Sequence, residues 1–570
     1  MTKSVSEEGE IPDRKHLRSS SLAQLDKMKI LERNSGAARK SIFMNDEYNS
    51  GDMNMIEETE TGSVTSGSSS SSRDDSTTEH KLGKYEKRKK ILQKHGDKEP
   101  VVDLKMSRFM TDAYGKHRYK PDGTFRAKFA DLNFQARTSI LDRDVVYGSD
   151  YFGLFVAAWF IVAMFSLNIV VKHYLEEGSL LRSKVFGIMM KDLWKIGLTD
   201  LAMYLVAYLP VILHMLIKNG WIRWRNTGRI IESLFETVFV FFFVAFADQR
   251  CYPWIGKIFL MLHSVVILMK THSYAFYNGY MWDIKNELDV SSAYVKKHEN
   301  MEESVKKALD KSISFCNFEM STQAARTAAF PGNITFKNYF EYSMFPACVY
   351  EVSYPRNKSI RWRYVFSKAA GIFGIIFVLV AIAQNNMYPL VMKCLEMQKH
   401  DTLMSRIAAY PLLIIEMIPP FLTIYLLIFF LIWELILNAI AELSRFADRE
   451  FYRYWWNSTD WNQYSRDWNV PVHKFLLRHV YHSSISGFHV SKSTATFITF
   501  LLSSLMHEVA MYVLFHKVRF YLLGLQMCQL PLVQFSKTKF MMQFPVLSNA
   551  IFWLGIVLGP SLLCTMYLVF

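Results

Sequence analysis

The stretch YFGLFVAAWFIVAMFSLNIVV, residues 151–171, contains no charged side chain and decides the fold class of this 570-residue chain. A helix needs about twenty residues to cross the hydrocarbon core of a bilayer, so this run is long enough for one crossing. Similar apolar runs recur at residues 193–217, 230–247, 254–276, 364–391, 407–443, 494–515, 520–535 and 546–570. The pattern predicts an all-α polytopic transmembrane helical bundle of about eight or nine spans, with 520–535 as the doubtful run.

Composition agrees with a membrane protein: 51% of the residues are hydrophobic, 15% are aromatic, and the formal net charge is +14. The basic residues are concentrated in the N-terminal region and in the loops between the apolar runs. That distribution favours an anionic bilayer surface or a phosphate-bearing substrate. Because no zinc-finger or RNA-binding signature is present, we expect no nucleic-acid partner.

Three segments differ in character. Residues 1–100 are polar, poor in aromatic residues and contain a serine tract, which predicts a disordered tail. Residues 101–149 interleave aromatic and basic side chains, which predicts an amphipathic linker that lies on the membrane or contacts another subunit. Residues 150–570 hold the apolar runs and form the predicted transmembrane domain.

Arginines set the predicted orientation. The loop between the second and third runs carries Arg223, Arg225 and Arg229, and the N-terminal tail is also basic. By the positive-inside rule we place both in the cytosol. Alternating crossings then put the long loops at 285–363 and 445–492 on the cytosolic side as well.

A metal site is not favoured. The six cysteines stand singly, and the histidines of the late loop lack the spacing of a zinc site. These residues are Cys251, Cys316, Cys348, Cys394, Cys528, Cys564, His473, His479, His482 and His489.

Ionisable residues inside apolar runs are candidates for function, because burying a charge in the bilayer is costly. They are Asp200, His214, Lys257, His263, Lys270, Glu416, Glu434, His507 and Glu508. Ser503 lies four residues before His507 on the same helical face, where its hydroxyl would fix the tautomer. Desolvation favours a neutral imidazole that accepts a proton from an alcohol. Periodicity alone leaves a packing histidine open, and His263 competes equally.

The segment RFADREFYRYWWNSTDWNQYSRDWNVPVHKFLLRHVY, residues 445–481, is unusually rich in aromatic and amide side chains. An interfacial aromatic belt explains the rings but explains the amides less well. Asn469 is suited to donate a hydrogen bond to a carbonyl oxygen that gains negative charge. The cations suited to phosphates are Arg466, Lys474, Arg478 and Lys492.

Several motifs resemble, in order, the signatures of the membrane-bound O-acyltransferase superfamily. They are FYRYWWN at 451–457, DWNVPVH at 467–473 and SSLMHE at 503–508. The sterol O-acyltransferase branch, and its fungal enzymes in particular, is similar also in NITFKNYFEYSMFP at 333–346 and YPRNKSIRW at 354–362. Type 1 diacylglycerol acyltransferases tend to have phenylalanine at the position of Tyr354 and lack Trp362.

The resemblance implies an intramembrane catalytic chamber in which His507 is the catalytic histidine and Asn469 its partner. It implies that residues near the acyl-CoA path are Phe451, Tyr452, Trp455, Trp456, Asn457, Arg466, Trp468, His473, Tyr481, Lys492 and Ser503. In one departure, Tyr454 stands where the family motif usually has an acidic residue, which puts that residue's role in doubt or assigns it to another group such as Asp460.

The resemblance further implies transfer of a long-chain fatty acyl group from acyl-CoA to the 3-hydroxyl of a sterol. Acyl-CoA is then a substrate, and no cofactor is expected. A homodimer in the endoplasmic reticulum membrane is implied. Two alternatives stay open: a diacylglycerol O-acyltransferase with the same chemistry, and a membrane transporter or sterol-binding protein in which His507 serves a relay or ligand site.

Overall fold

The fold is described from a computed structural model covering residues 125, 127–129, 132–179, 183–298, 301–324 and 330–570. The predicted tail, 1–100, and most of the predicted linker, 101–149, lie outside the described residues. The described part of the linker from 132 to 142 has no helix and runs as an extended strap.

The described residues are mostly helical. The α-helices are α1 Arg143–Tyr147, α2 Phe152–Glu177, α3 Lys184–Met190, α4 Leu193–Val206, α5 Leu209–Lys218, α6 Arg229–Gln249, α7 Trp254–Lys297, α8 Glu303–Ala324, α9 Phe336–Met344, α10 Trp362–Ile382, α11 Tyr388–His400, α12 Leu403–Phe429, α13 Leu437–Leu443, α14 Trp461–Asp467, α15 Val470–Phe475, α16 His482–Phe488, α17 Lys492–Phe515, α18 Tyr521–Met527, α19 Gln529–Ser536, α20 Lys539–Gln543 and α21 Pro545–Val569. Single π-helical turns at Trp224–Gly228, Ala383–Met387, Phe430–Ile436 and Leu476–Tyr481 join successive helices, and Trp455–Asn457 is a short 3-10 turn.

Eight helical segments of the described chain are long and apolar enough to cross a membrane. They are Phe152–Glu177, Leu193–Lys218, Trp224–Gln249, Trp254–Lys297, Trp362–His400, Leu403–Leu443, Lys492–Phe515 and Pro545–Val569. The predicted all-α membrane bundle is therefore confirmed. The doubtful run at 520–535 is not a span, because it breaks into α18 and α19. The fourth span extends well beyond its apolar run, to Lys297.

Polar caps define where the helix carrying the predicted catalytic histidine begins and ends. Ser491 precedes α17, and its hydroxyl accepts a hydrogen bond from the backbone N–H of Thr494 at 3.1 Å. Such a cap satisfies a backbone N–H that the helix leaves without a partner. The helix stops at His516, whose φ of 50° lies in the left-handed region. α17 packs against α7 and α18, which fixes it within the bundle.

The strap at 132–142 is joined by backbone hydrogen bonds to the loop after the sixth span. The N–H of Arg137 donates to the carbonyl of Ala447 at 2.9 Å, and the N–H of Arg449 donates back to Arg137 at 3.1 Å. The same loop accepts a further bond from Asn357, whose N–H reaches Arg445 at 2.8 Å. Three segments far apart in sequence therefore meet beside residues 451–457.

A close approach between helices occurs at Gly279 of α7, where a Cβ atom would overlap the indole of Trp224. Trp224 is 4% exposed and stacks on His214 with ring centroids 5.1 Å apart, so it has little room to move. Gly374 of α10 has nothing within 4 Å of the position that a Cβ atom would take, and it provides a matched comparison.

We predict that Gly279→Ala lowers the free energy of unfolding by about 1–3 kcal/mol, because overpacking displaces the Trp224 ring. Gly374→Ala is expected to leave the free energy of unfolding unchanged or slightly raised, since alanine is the better helix former. Thermal unfolding of the two variants in detergent tests the difference. Equal melting temperatures for the two variants would show that the Trp224 contact is loose.

Candidate active site

The motif at 451–457 forms part of a buried aromatic cluster. Phe451, Tyr452 and Trp455 are each no more than 2% exposed. Main-chain hydrogen bonds join this motif to the second one: the N–H of Val470 donates to the carbonyl of Phe451 at 3.0 Å. The N–H of Arg453 likewise donates to the carbonyl of Asp467 at 2.8 Å. The structure thus brings the two sequence motifs together as one unit.

Trp468 is the centre of this unit. Its ring stacks on Tyr425 with centroids 5.0 Å apart and meets Trp455 edge-on at 4.8 Å. Phe429 lies 4.6 Å away. Phe429 also meets Tyr452 and Trp455 with centroids 5.0 and 5.1 Å apart, so the two motifs share one aromatic cluster. Their predicted place along the acyl-CoA path stays a prediction.

The end of the first motif is held by the last span. The backbone carbonyl of Trp456 accepts hydrogen bonds from the Asn549 amide at 3.0 Å and from the Trp553 indole at 3.1 Å. Asn457, the next residue, is exposed. Tyr454, at the position that is acidic in the family, is also exposed and packs edge-on against Trp456 at 5.8 Å.

Asp460, the other acidic group suggested for that role, caps the next helix. Its carboxylate accepts a hydrogen bond from the N–H of Gln463 at 2.7 Å and so caps α14. The acidic neighbours of the motif that do meet a cation are Glu450 and Asp467. The Arg453 guanidinium lies 3.1 Å from the first and 3.8 Å from the second.

A buried carboxylate lies directly behind the first motif. Glu434 is fully buried and accepts a hydrogen bond from the Tyr452 hydroxyl at 2.8 Å. Ser139 of the strap donates to the same oxygen at 2.5 Å. Lys368 of α10 meets the other oxygen at 2.6 Å. This network ties the strap, the fifth and sixth spans and the motif to one charge.

Asn469 is the N-cap of α15, and only the oxygen of its side-chain amide takes part in the cap. Its Oδ1 accepts a hydrogen bond from the N–H of Val472 at 3.3 Å, which caps the helix. The side chain is half-buried, and its Nδ2 has no hydrogen-bond partner among the residues that the structure describes. An amide N–H₂ group is therefore free to donate to a substrate oxygen.

His507 is exposed, and its Nδ1 lies 2.7 Å from the backbone carbonyl oxygen of Ser503. A carbonyl oxygen only accepts, so Nδ1 must carry the proton. In the neutral ring Nε2 then holds a lone pair and is a base. The predicted tautomer-fixing contact is therefore real, but the main chain of Ser503 supplies it and the predicted role of the hydroxyl is wrong.

The exposed face of α17 indicates which way His507 points. Its exposed large apolar side chains are Phe497, Leu502, Leu505 and Tyr512, with 39–47% of their surface accessible. At 3.6 residues per turn, the last three lie roughly 140–160° around the helix from His507, and Phe497 lies roughly 80° from it. Met511, one turn after His507 on its own side, is only 6% exposed. His507 therefore lies on the side of α17 opposite Leu502, Leu505 and Tyr512.

The two predicted catalytic residues lie on the arms of a helical hairpin. Residues 470–488 form one arm and α17 forms the other, and the arms pack together nearest the turn. Asn469 lies one turn before His473 on the first arm, and His507 lies on the second. No hydrogen bond joins His507 to Asn469 within the described chain.

The other ionisable residues of the apolar runs are already engaged. His263 lies 2.5 Å from Asp200, and Lys270 donates to the carbonyl oxygens of Phe345 and Ala347 at 2.6 and 2.9 Å. The remaining partners are Trp282 for His214, Asp248 for Lys257 and Lys393 for Glu416. Glu508 accepts bonds from the N–H groups of Phe520 and Leu523 and from the Tyr567 hydroxyl. Together with the contacts of Glu434, these give all eight groups a structural partner.

Two of the predicted phosphate-binding cations are also engaged. Arg478 is 3% exposed and pairs with Glu351 at 2.7 Å, and Lys474 lies 3.5 Å from Asp448. Their predicted phosphate role is therefore not supported. Arg466 is half-exposed without an ion pair in the described chain, and Lys492 is exposed at the start of α17. Those two stay candidates.

His473 and Tyr481 lie on the arm opposite α17. Burial lowers the pKa of His473 to about 4, and the positive charges of Arg466, Arg453 and Lys474 act in the same direction. Its imidazole is therefore neutral at pH 7. Tyr481 is buried and packs edge-on against His482 at 5.3 Å. Among the described residues, no three His, Cys, Asp or Glu side chains group as metal ligands do.

Comparison with known proteins agrees with this arrangement. The model of the membrane-bound O-acyltransferase family matches residues 185–569, which contain every motif described above. The chain belongs to the membrane-bound O-acyltransferase family. The resemblance inferred from the motifs is therefore confirmed.

Two fungal sterol O-acyltransferases are similar to this family member over most of its length, and a diacylglycerol O-acyltransferase is similar over less than half. The sterol O-acyltransferase 2 of Candida albicans is 44% identical over 513 residues, which are 83% of each chain. The sterol O-acyltransferase 2 of Saccharomyces cerevisiae is 44% identical over 443 residues, 76% of this chain and 69% of that protein. The diacylglycerol O-acyltransferase 1 of Dictyostelium discoideum is 32% identical over 244 residues, 42% of this chain and 38% of that protein.

The sequence marked Glu434 as a candidate but not its partners, because Lys368 and Ser139 come from distant segments.

We predict that Lys368→Met lowers the free energy of unfolding by about 3–5 kcal/mol, since it leaves a buried carboxylate without its cation. Lys393→Met removes an exposed Lys–Glu pair and is expected to change the free energy of unfolding by less than about 1 kcal/mol. Chemical denaturation in detergent measures both.

The double variant Lys368→Met with Glu434→Gln is the control, because it also removes the negative charge. It is expected to be more stable than Lys368→Met alone. If the single variant is as stable as Lys393→Met, the Glu434 network does not hold the motif in place.

Proposed function

We propose that this chain transfers a long-chain fatty acyl group from acyl-CoA to the 3-hydroxyl of a membrane sterol, with His507 as the general base. The hydrogen bond from His507 Nδ1 to the Ser503 carbonyl carries the proposal, because it leaves Nε2 as an acceptor on an accessible face. The two fungal sterol O-acyltransferases, similar over most of the chain, support the choice of substrates.

In the proposed reaction, Nε2 of His507 takes the proton of the sterol hydroxyl while its oxygen attacks the thioester carbonyl carbon. The carbonyl oxygen becomes negative, and Nδ2 of Asn469 donates a hydrogen bond to it. The carbon–sulfur bond then breaks, and the imidazolium returns its proton to the departing CoA thiolate. A steryl ester and free CoA result, and no acyl-enzyme forms.

The bundle assists by excluding water. Water would otherwise compete with the sterol hydroxyl and hydrolyse the thioester. We propose that CoA binds at the cytosolic face near Arg466 and Lys492, while the acyl tail enters the bundle and the sterol arrives from the bilayer. The N-terminal tail is then cytosolic, the membrane is that of the endoplasmic reticulum, and the enzyme is a homodimer, as the family resemblance implies.

Acylation of diacylglycerol uses the same chemistry and is the nearest alternative. It is less supported, because the similar diacylglycerol O-acyltransferase 1 matches under half of this chain. Tyr354, at a position where such enzymes tend to have phenylalanine, is buried here, and its hydroxyl hydrogen-bonds to the carbonyl of Val349 and the N–H of Glu351. A transporter or sterol-binding protein would move or hold a sterol without forming an ester.

We predict that membranes containing the protein convert labelled oleoyl-CoA into labelled steryl ester, and that His507→Ala lowers kcat by about 10²–10⁴-fold. His263→Ala is the matched control, because it removes another intramembrane histidine whose ring is already bound to Asp200. Ser503→Ala should retain activity, since the carbonyl remains. Thin-layer separation of the labelled lipids reports the product.

Label in triacylglycerol would favour the diacylglycerol alternative, and transport without any labelled ester would favour the non-enzymatic one. Near-normal turnover by His507→Ala, or equal losses in His263→Ala, would refute the role given to His507.

A second prediction separates the two uses of Asn469. Asn469→Asp keeps an acceptor for the N–H of Val472 but loses the N–H₂ donor, so we expect unchanged folding and a kcat lower by about 10²–10³-fold. Thermal unfolding and the labelled-acyl assay on the same preparation test this. Full activity in Asn469→Asp would reduce Asn469 to a helix cap.

A further inference from the structure

A groove of about 1030 Å³ lies between α2 of the first span and the start of α10 of the fifth. Its size is at the upper end of the roughly 300–1,000 Å³ of ligand sites. None of the residues at 451–507 lines it, so it is separate from the candidate active site.

The long wall of the groove is one apolar face of α2. The lining residues recur every three or four positions: Phe152, Phe155, Val156, Trp159, Phe160 and Ala163. This face spans about 17 Å at 1.5 Å per residue. Half of a hydrocarbon core about 30 Å thick is close to that length. The wall therefore matches the depth of one leaflet, the space occupied by a lipid acyl chain.

The mouth of the groove is cationic. Arg361, Arg363 and Lys368 line it at the first two turns of α10. Arg363 is exposed and has no ion pair among the described residues. Arg361 shares the buried carboxylate of Glu442 with Arg449, so those three groups carry a net positive charge, and the Arg361 side chain stays 51% exposed.

One carboxylate, that of Asp142, also lines the groove, but Lys368 lies 3.8 Å from it and 2.6 Å from Glu434. Lys368 is therefore shared between two carboxylates and is not available to a ligand. The cations that remain for a ligand are Arg363 and the exposed side of Arg361.

We propose that this groove is a binding site for an anionic phospholipid, separate from the reacting substrates. Its acyl chain lies along the Phe152–Ala163 face of α2, and its phosphate-bearing headgroup meets Arg363 and Arg361. The length of the apolar face matches the acyl chain of such a lipid, and the charge of the two arginines matches its headgroup. A phosphatidylcholine fills the apolar face equally well but adds a positive choline beside the arginines.

The site is also connected to the motif at 451–457. Lys368 lines the groove and holds Glu434, and Glu434 holds the hydroxyl of Tyr452. A lipid that orders the first turns of α10 thereby stabilises the side chain network behind the motif. Anionic lipid is expected to raise both the melting temperature and the activity.

The test uses the full-length protein in nanodiscs of phosphatidylcholine, with or without phosphatidylserine at one fifth of the lipid. Native mass spectrometry counts retained phosphatidylserine, and the melting temperature and labelled-acyl turnover are measured on the same samples. Two variants attack the site independently: Arg363→Gln removes the free cation, and Ala163→Trp fills the apolar end. Their matched controls are Arg225→Gln, an exposed loop arginine, and Ala158→Trp, an exposed α2 residue that does not line the groove.

We expect phosphatidylserine to stabilise and activate the wild type, and Arg363→Gln to weaken its retention about fivefold. Ala163→Trp should abolish retention, while both controls behave as wild type. Equal effects of the two lipids on the wild type, or equal losses in the controls, overturn the proposal. A raised KM for oleoyl-CoA in Ala163→Trp would also overturn it, because the groove would then bind acyl-CoA. If Ala163→Trp becomes monomeric but still retains lipid, the groove is instead a contact with a second copy of this chain.

Discussion

The candidate active site depends on one carboxylate that is fully buried from solvent. Glu434 lies inside a membrane span with no exposed surface, and an isolated charge there is strongly unfavourable. Lys368, Tyr452 and Ser139 make it tolerable by supplying a cation and two hydroxyl donors. Because the three come from different segments, satisfying one charge fixes the strap, the fifth span and the first motif relative to each other.

A rigid support of this kind suits a reaction that depends on position. Tyr452 is anchored by the Glu434 carboxylate, and its neighbour Trp455 packs on Trp468. Trp468 immediately precedes Asn469, so the orientation of the amide follows from the packing of the indole. A displacement of about 1 Å at such a group can reduce a rate a hundredfold, and buried aromatic packing limits that movement.

The spans were predictable because the bilayer thickness requires about twenty apolar residues per crossing. The run at 520–535 is shorter than that and contains Gln526, Gln529 and Gln534, and it forms two short helices. Of the ionisable residues that the sequence marked, His214, Lys270, Glu434 and Glu508 are buried, whereas His507 is exposed. Their partners were not predictable, since Lys368 and Glu434 are brought together only by folding. The contact of His507 with a backbone carbonyl was not predictable, because a main-chain oxygen has no letter in the sequence.

The residue types at the two proposed catalytic positions carry information beyond their structural uses. A helix N-cap needs only an acceptor, and aspartate or serine would cap α15 as well as Asn469 does. The amide also leaves an N–H₂ donor beside the cap, which an aspartate carboxylate lacks. At position 507, a leucine would suit an apolar helix better than histidine, whose ring is stabilised by a single bond to the Ser503 carbonyl. That bond fixes the proton on Nδ1, and the same constraint makes Nε2 basic. In both residues one polar atom bonds to the helix backbone: Oδ1 in Asn469 and Nδ1 in His507. The second atom then remains for the reaction, in which an alcohol attacks a thioester. Nδ2 of Asn469 is a donor for the oxygen that becomes negative, and Nε2 of His507 is an acceptor for the proton that the alcohol loses.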